Sequence, residues 1–211
     1  MLVLAVIFLV VSIVLFLNYW FASYNPGKLV ISAPFEIGSY EFDRASLTGE
    51  EMDIAWKLYV QLTTRKAAIP VSEDDIIIEI YDSWYELFKS TREYLVALPA
   101  QVLEGNENAQ SIVNLSTEVL NQGLRPHLTK WQGKYRRWYD SQAQDPANKN
   151  VSPQEIQVRY PHYKELIADI KRVNIELIKY AEELKRFSYE KPPNFSTKAV
   201  AWFDNIWNKL K

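Results

Sequence analysis

The longest apolar run in the chain stands at its start. Every residue from Leu2 to Leu17 is apolar except Ser12. A helix over residues 1–22 would be about 33 Å long at about 1.5 Å per residue, enough to cross a hydrocarbon core. A cleaved signal peptide would carry basic residues before the run, and none stand here. The pattern predicts a transmembrane anchor at residues 1–24 that binds the bilayer and ends in an interfacial aromatic belt of Tyr19, Trp20, Phe21 and Tyr24.

Residues 25–47 follow the anchor as a short segment of different character. Asn25-Pro26-Gly27 has turn chemistry, and residues 28–47 are rich in β-branched and aromatic residues. Residues 29–31 and 40–42 alternate as short strands do, but an extended stalk would show the same pattern. We therefore expect a packed, extended juxtamembrane arm over residues 25–47, with strand formation left open.

Residues 48–191 carry apolar positions at helical spacing, which predicts a bundle of about five helices. A capping box of Thr48 and Glu51 begins the first helix, which runs to about Ala67. Ser72 with Asp75 begins the second helix, which ends before Pro99. The positions predicted to face the core are Met52, Ala55, Trp56, Tyr59 and Leu62 on the first helix, and Ile77, Ile80, Trp84, Leu87 and Leu95 on the second.

A weaker third helix is predicted from Ala109 to Gln122. Gly123 is a plausible stop, and Pro126 suits the first turn of the next helix. Ser152-Pro153-Gln154-Glu155 then combines a cap, a proline at the first helical position and a capping glutamate. That helix should break near Tyr160-Pro161. A long helix follows to about Phe187, and its core seam is Leu166, Ile170, Val173, Leu177, Tyr180, Leu184 and Phe187.

Residues 192–211 form a separate amphipathic segment, which predicts a short C-terminal helix. Such a helix can lie in a membrane interface, dock into a partner's groove or pack on its own bundle. The sequence leaves these alternatives open, because short helices depend on tertiary contacts. The candidate contact residues are Trp202, Phe203, Ile206, Trp207 and Leu210.

The whole chain is nearly neutral, but residues 123–139 hold five cations and no acid. A net charge of −2 and a pI of about 5.8 do not indicate a nucleic-acid-binding protein. On a helix the nearby large apolar side chains share one face, so periodicity favours a basic outer face of a bundle helix. Tyr139 is the aromatic residue expected on the cationic side. The candidate face for a partner or an anionic ligand is therefore Arg125, Lys130, Lys134, Arg136, Arg137 and Tyr139.

The sequence contains little that points to catalysis. It has no cysteine, only six glycines and no phosphate loop, nucleophile elbow or zinc-protease motif. The acidic pairs open predicted helices, where the helix dipole favours them. His127 and His162 each follow a proline near a helix start, a position typical of a surface or capping histidine. We expect no enzyme, no metal and no cofactor.

The functional expectation follows from the anchor and the bundle together. Lys28 and Arg44 follow the anchor and no cation precedes it, which favours an outside N-terminus and a cytoplasmic body. Seven tryptophans leave some available for an interface, so we expect a non-catalytic adaptor or scaffold that holds a protein partner, or a second copy, at the membrane. This general type resembles accessory components of bacterial multi-protein membrane assemblies, including some defence gene clusters.

Two other functions remain open on the sequence. A sensor would bind nucleic acid or another anionic ligand through the basic face at residues 125–137. A membrane-active effector would act by oligomerisation. The apolar run at residues 2–17 has no small-xxx-small motif and no charge, which counts against the effector. Nucleic acid is the less favoured partner because the chain as a whole is not basic.

Overall fold

The computed structural model describes residues 28–189. The predicted anchor at residues 1–24, its aromatic belt and the predicted helix at residues 192–211 lie outside the described residues. Across residues 28–189 no helix combines the length and the apolar character needed to cross a bilayer. Within this range the chain is mainly helical, as predicted, with one small sheet at the side of a helical bundle.

Residues 28–43 form an antiparallel hairpin. Strand β1 is Lys28–Ala33 and strand β2 is Gly38–Asp43, with Lys28 opposite Asp43. Two strands alone are marginally stable, so the hairpin depends on burying one face against helices. That buried face is Leu29, Ile31, Ala33 and Phe42.

The helices account for most of the remaining chain. Their bounds are α1 Gly49–Thr63, α2 Ile77–Val96, α3 Ala100–Leu103, α4 Glu107–Glu118, α5 Arg125–Ala143, α6 Pro153–Gln157 and α7 Tyr163–Ser188. A π-helical turn, Val119–Leu124, joins α4 to α5, and a 3-10 turn, Pro146–Asn148, follows α5. All seven residues of the predicted seam on α7 are buried. The capping boxes predicted at the starts of α1 and α6 are present.

The buried face of helix α1 is rotated from the predicted one, with Ala55 and Leu62 common to both. Trp56 is 45% exposed, whereas Ile54 and Leu58 are buried beside Ala55 and Leu62. Glu51 is also buried, because its Oε1 accepts a hydrogen bond from Asn106 Nδ2 at 2.6 Å while its Oε2 caps Thr48. With Glu51 turned inward, the core-facing side of α1 is centred on Ile54 and Leu58. Trp56 consequently lies at the surface.

Helix α2 begins later than predicted. Ser72 donates its backbone N–H to Asp75 Oδ2 at 2.8 Å, but this contact closes a turn and the helix starts at Ile77. The first amide of the helix, Ile77 N–H, donates instead to Gln157 Oε1 at 3.0 Å, and Gln157 Nε2 donates to the Asp75 carbonyl at 2.9 Å. A side chain far along the sequence therefore replaces the local cap.

Gly123 does not end a helix, contrary to the prediction. The chain passes through it in the π turn, where Arg125 N–H donates to the Leu120 carbonyl, and α5 continues directly. The wider turn suits Pro126, which lacks an N–H and would crowd the carbonyl four residues earlier. Gly123 is required by a tertiary contact, because a Cβ there would lie 2.2 Å from the Phe35 ring.

The Phe35 ring reaches Gly123 from a strained turn. Phe35 and Glu36 have φ of 60° and 58° between β1 and β2, a conformation that costs non-glycine residues about 1–2 kcal/mol each. Phe35 N–H donates to Glu176 Oε2 on α7 at 2.9 Å. This hydrogen bond and the ring contact hold the turn against the bundle.

Gly123→Ala should lower the free energy of unfolding by about 2 kcal/mol, because the new methyl group displaces the Phe35 ring. Gly133→Ala is the matched control: Gly133 lies within α5 with no atom near its Cβ position. That change should stabilise the protein by about 0.5–1 kcal/mol through helix propensity. Urea unfolding followed by tryptophan fluorescence measures both, and equal effects of the two changes would contradict the close contact.

Both ends of the described range lie at the same end of the bundle. Arg186 Nη2 donates to the Val30 carbonyl at 2.5 Å, and Glu176 contacts Phe35 in the turn that follows β1. Strand β1 therefore runs antiparallel to α7. Lys28, the first described residue, consequently lies close to the end of α7, where Tyr189 is the last.

Candidate functional site

The basic stretch on α5 is the outer side of an amphipathic helix, as its periodicity predicts. Trp131 and Tyr135 are buried, and Leu128 and Trp138 pack against the core while partly exposed. Tyr135 and Trp138 meet Tyr160 with ring centroids 5.2 and 5.0 Å apart. The large rings therefore belong to the core.

Three of the five predicted cations have partners within the protein. Arg136 Nη2 lies 2.7 Å from Asp82 Oδ1. Arg125 stands over the Phe88 ring at 5.4 Å, and Lys130 stands over the Trp131 ring at 4.6 Å. The two remaining cations, Lys134 and Arg137, are exposed. Neither forms an ion pair within the described range, so they supply the uncompensated charge of this face.

Tyr139 is not an exposed ring on the cationic side. It is half-buried against the core, and its ring centroid lies 5.8 Å from that of Tyr135. Burial, with Glu79 and Asp140 nearby, raises the pKa of Tyr139. The predicted face thus carries positive charge without an exposed aromatic platform on which bases would stack.

Behind the basic face lies a polar cluster around the buried His127. The His127 ring is only 2% exposed, which corrects the prediction of a surface or capping histidine. Its Nδ1 is 2.8 Å from Asp169 Oδ2, and its Nε2 is 3.2 Å from Tyr81 Oη. Trp131 Nε1–H donates to the same Asp169 oxygen at 3.0 Å, and Arg172 Nη2 donates to Oδ1 at 2.8 Å. This polar cluster, formed by Tyr81, His127, Trp131, Asp169 and Arg172, joins α2, α5 and α7.

The electrostatics of the polar cluster favour a neutral histidine beside an ionised aspartate. Burial lowers the pKa of His127, and this effect outweighs the opposing influence of Asp169. Burial also disfavours the Asp169 carboxylate, but the hydrogen bonds from Arg172, His127 and Trp131 outweigh it and lower the pKa of Asp169. In the neutral tautomer that fits these contacts, Nδ1–H donates to Asp169 and Nε2 accepts from the Tyr81 hydroxyl.

Acidification should destabilise the protein through His127. Below a pH of about 6.5 the unfolded chain binds a proton at His127 that the folded chain excludes, so this stability is present above that pH and is lost as the pH falls. We expect His127→Gln to reduce the difference in the free energy of unfolding between pH 7.5 and pH 5.5, measured by urea unfolding. His162→Gln, which removes an exposed histidine, is the control. A pH dependence equal in all three proteins would contradict the assignment.

The polar cluster has the elements of a proton relay, but two of its members are closed to solvent. Tyr81 and His127 are almost completely buried, and burial raises the pKa of Tyr81 far above its ordinary value. Two surface cavities of about 490 and 370 Å³ are lined by other residues. No group of three or more potential metal ligands occurs in the part of the chain that the structure describes. This arrangement holds three helices together.

Helical spacing contains a signal for His127 that motif reasoning misses. His127 precedes the buried Trp131 by four residues and Tyr135 by eight, so it falls on the core-facing side of α5. Its partner could not be found locally, because Asp169 lies 42 residues away on a helix whose outer face alternates in charge.

A second surface feature lies at the opposite end of the bundle. The rings of Trp56 and Tyr189 meet edge to face with centroids 5.5 Å apart, and Trp56 lies 5.6 Å from Tyr59. Trp56 is 45% exposed and Tyr189 51% exposed. We call Trp56, Tyr59 and Tyr189 the aromatic patch. It stands at the last described residue, where the segment 190–211 begins.

Comparison with known proteins gives no further assignment. No known protein family, no curated protein and no solved structure matches the chain.

Proposed function

We propose that this chain is a single-pass membrane protein whose helical body is a non-catalytic adaptor that holds a protein partner at the membrane. The direction in which the body extends from the predicted anchor carries the proposal. Lys28 and Tyr189 lie at one end of α7, whereas the basic face packs near Asp169 towards the other end. At about 1.5 Å per residue, Asp169 and Tyr189 are about 30 Å apart along the helix. An anchor before Lys28 would therefore present the basic face away from the bilayer.

The chemistry of the basic face supports a protein partner with an acidic surface. Lys134 and Arg137 are exposed and form no ion pair in the described range, so they attract opposite charge. The large rings of α5 face inward, which leaves no stacking surface for single-stranded nucleic acid on this face. A membrane tether raises the local concentration of such a partner without any catalytic step.

The proposal also includes the orientation of the chain in the membrane. Lys28 and Arg44 follow the apolar run, and no cation precedes it. The positive-inside rule then favours a short N-terminus outside and the body in the cytoplasm. An accessory role in a multi-protein bacterial membrane assembly fits a body with charged and aromatic surfaces and an enclosed polar cluster.

The decisive test is purification of the tagged full-length protein from its native membranes, followed by mass spectrometry. We expect a stoichiometric protein partner that is lost with Lys134→Glu/Arg137→Glu. The matched control is Lys164→Glu/Lys171→Glu, which makes the same charge change on exposed positions of α7. The control should retain the partner, because its charges lie on another helix.

Four outcomes would each contradict a part of the proposal. Recovery of nucleic acid that moderate salt removes would support the sensor function. Recovery of a homo-oligomer alone would support the effector function. Recovery of the protein from the soluble fraction would refute the anchor. Protease cleavage of the body in intact cells would contradict the cytoplasmic orientation.

A further inference from the structure

We propose that the aromatic patch of Trp56, Tyr59 and Tyr189 rests in the headgroup layer of the bilayer. Lipid covers this surface, so the body touches the membrane at a second place besides the anchor. This inference rests on the proposed anchor, because the anchor brings the patch to the membrane.

The position of the two chain exits supports this assignment. Residues 1–27 end at Lys28, and residues 190–211 begin after Tyr189. The contacts of Arg186 with Val30, and of Glu176 with Phe35, bring these two points to the same end of the body. Tyr189 itself belongs to the patch. Trp56 is joined to it by a ring contact of 5.5 Å, so the patch lies where an anchored body comes nearest to lipid.

The chemistry of the patch fits the membrane interface. Tryptophan and tyrosine combine a flat apolar body with one polar group, and they concentrate at the headgroup level of membrane proteins. Trp56 and Tyr189 are each about half exposed and share an open apolar cavity of about 310 Å³ with Ser188. A lipid interface would cover these ring surfaces while leaving their polar atoms hydrated.

The charges at this end indicate that the rings, not cations, provide the attraction. Three of the cations at this end are each paired with an acid at 2.6–2.7 Å. These pairs are Lys28 with Glu41, Lys57 with Asp53, and Arg186 with Glu183. Seating on the membrane should therefore occur on zwitterionic lipid and persist in high salt, unlike binding by a polybasic surface.

The test uses the full-length protein in phosphatidylcholine vesicles. The chain has no cysteine, so single cysteines can carry a fluorophore at chosen places. Ser188→Cys reports on the patch, and Ser141→Cys is a matched distal site at the end of α5. In both positions the hydroxyl donates to the carbonyl three residues earlier, at 3.1 Å from Ser188 and at 2.7 Å from Ser141. Quenching by headgroup-nitroxide lipid measures contact with the membrane.

We expect lipid quenching at position 188 and none at position 141, in low and in high salt. Adding Trp56→Ser/Tyr189→Ser should abolish quenching at position 188. The control Tyr85→Ser/Val158→Ser, which removes two exposed apolar side chains elsewhere, should leave it intact. Circular dichroism checks that both double variants remain folded.

Flotation separates this inference from the proposed function. Protein that floats with the vesicles but shows no lipid quenching at position 188 overturns the seated patch and leaves the anchor standing. Protein that does not float overturns the anchor and this inference together. A fluorophore shielded from both lipid nitroxide and aqueous iodide would mean that protein covers the patch, either residues 192–211 or a second copy, and would also overturn the inference.

Discussion

Replacing Asp169 with alanine should lower the free energy of unfolding by about 4 kcal/mol, the largest effect that we expect from a single substitution. Its carboxylate is the acceptor shared by His127, Trp131 and Arg172. Two of these donors are almost completely buried, so removing the acceptor leaves them without water and without a partner. Urea unfolding of the variant at neutral pH measures the loss.

Two further variants make the Asp169 experiment specific. Glu165→Ala removes an exposed acid one turn earlier on α7 and should change stability by less than about 0.5 kcal/mol. Asp169→Asn keeps one acceptor oxygen but loses the charge, so it should fall between alanine and the natural residue. If alanine and asparagine destabilised the protein no more than the Glu165 control, the polar cluster would not hold the helices together.

Asn174→Ala should cost about 3 kcal/mol, because one side chain satisfies three backbone groups of the loop between α1 and α2. Asn174 Nδ2 donates to the carbonyls of Ala67 and Ile69 at 2.8 and 2.9 Å. Its Oδ1 accepts from Val71 N–H at 3.3 Å. Asn174 is buried, so water cannot readily replace these contacts.

Asn114→Ala is the matched control for Asn174→Ala. Asn114 is an exposed position of α4, so the same substitution removes the same atoms there. Alanine is the better helix former by about 0.6 kcal/mol, and the control should therefore be neutral or slightly stabilising. We would measure both by urea unfolding, and similar values for the two would show that the loop does not depend on Asn174.

Local sequence patterns predict the helical part of the fold well. The capping boxes at Thr48 and Ser152 begin helices where expected, because their hydrogen bonds join residues three apart. The seam of α7 is buried throughout, since apolar periodicity over a long helix leaves one way to face the core. The basic stretch also follows its periodicity, with rings inward and cations outward.

Predictions failed where a long-range contact replaced a local rule. Ser72 carries the local signal for a helix start, but α2 begins at Ile77, whose amide is capped by Gln157. Gly123 carries the signal for a helix end, but the glycine serves the approach of Phe35 from a distant hairpin. At both positions a contact with a distant residue overrides the helix boundary that the local pattern predicts.

The candidate sites also combine features that the sequence predicts with features that only the structure shows. The sequence identifies the cations of residues 125–137, but only the structure shows that Asp82 pairs with Arg136 and that Lys134 and Arg137 keep their charge exposed. The aromatic patch was missed because Trp56 satisfies the helical pattern of a core residue. Trp56 is exposed because α1 turns Glu51, Ile54 and Leu58 towards the core instead.

The sequence by itself determined the helical class of the body, the capped helix starts, the buried seam of α7 and the amphipathic character of α5. These properties depend on residues within a few turns of one another. Tertiary structure alone decided the hairpin at residues 28–43, the unbroken passage through Gly123, the burial of His127 against Asp169 and the position of Lys28 and Tyr189 at one end of the body. Each of these depends on groups that are distant in the chain and meet only after packing, when buried polar atoms must find partners and close-packed surfaces must fit.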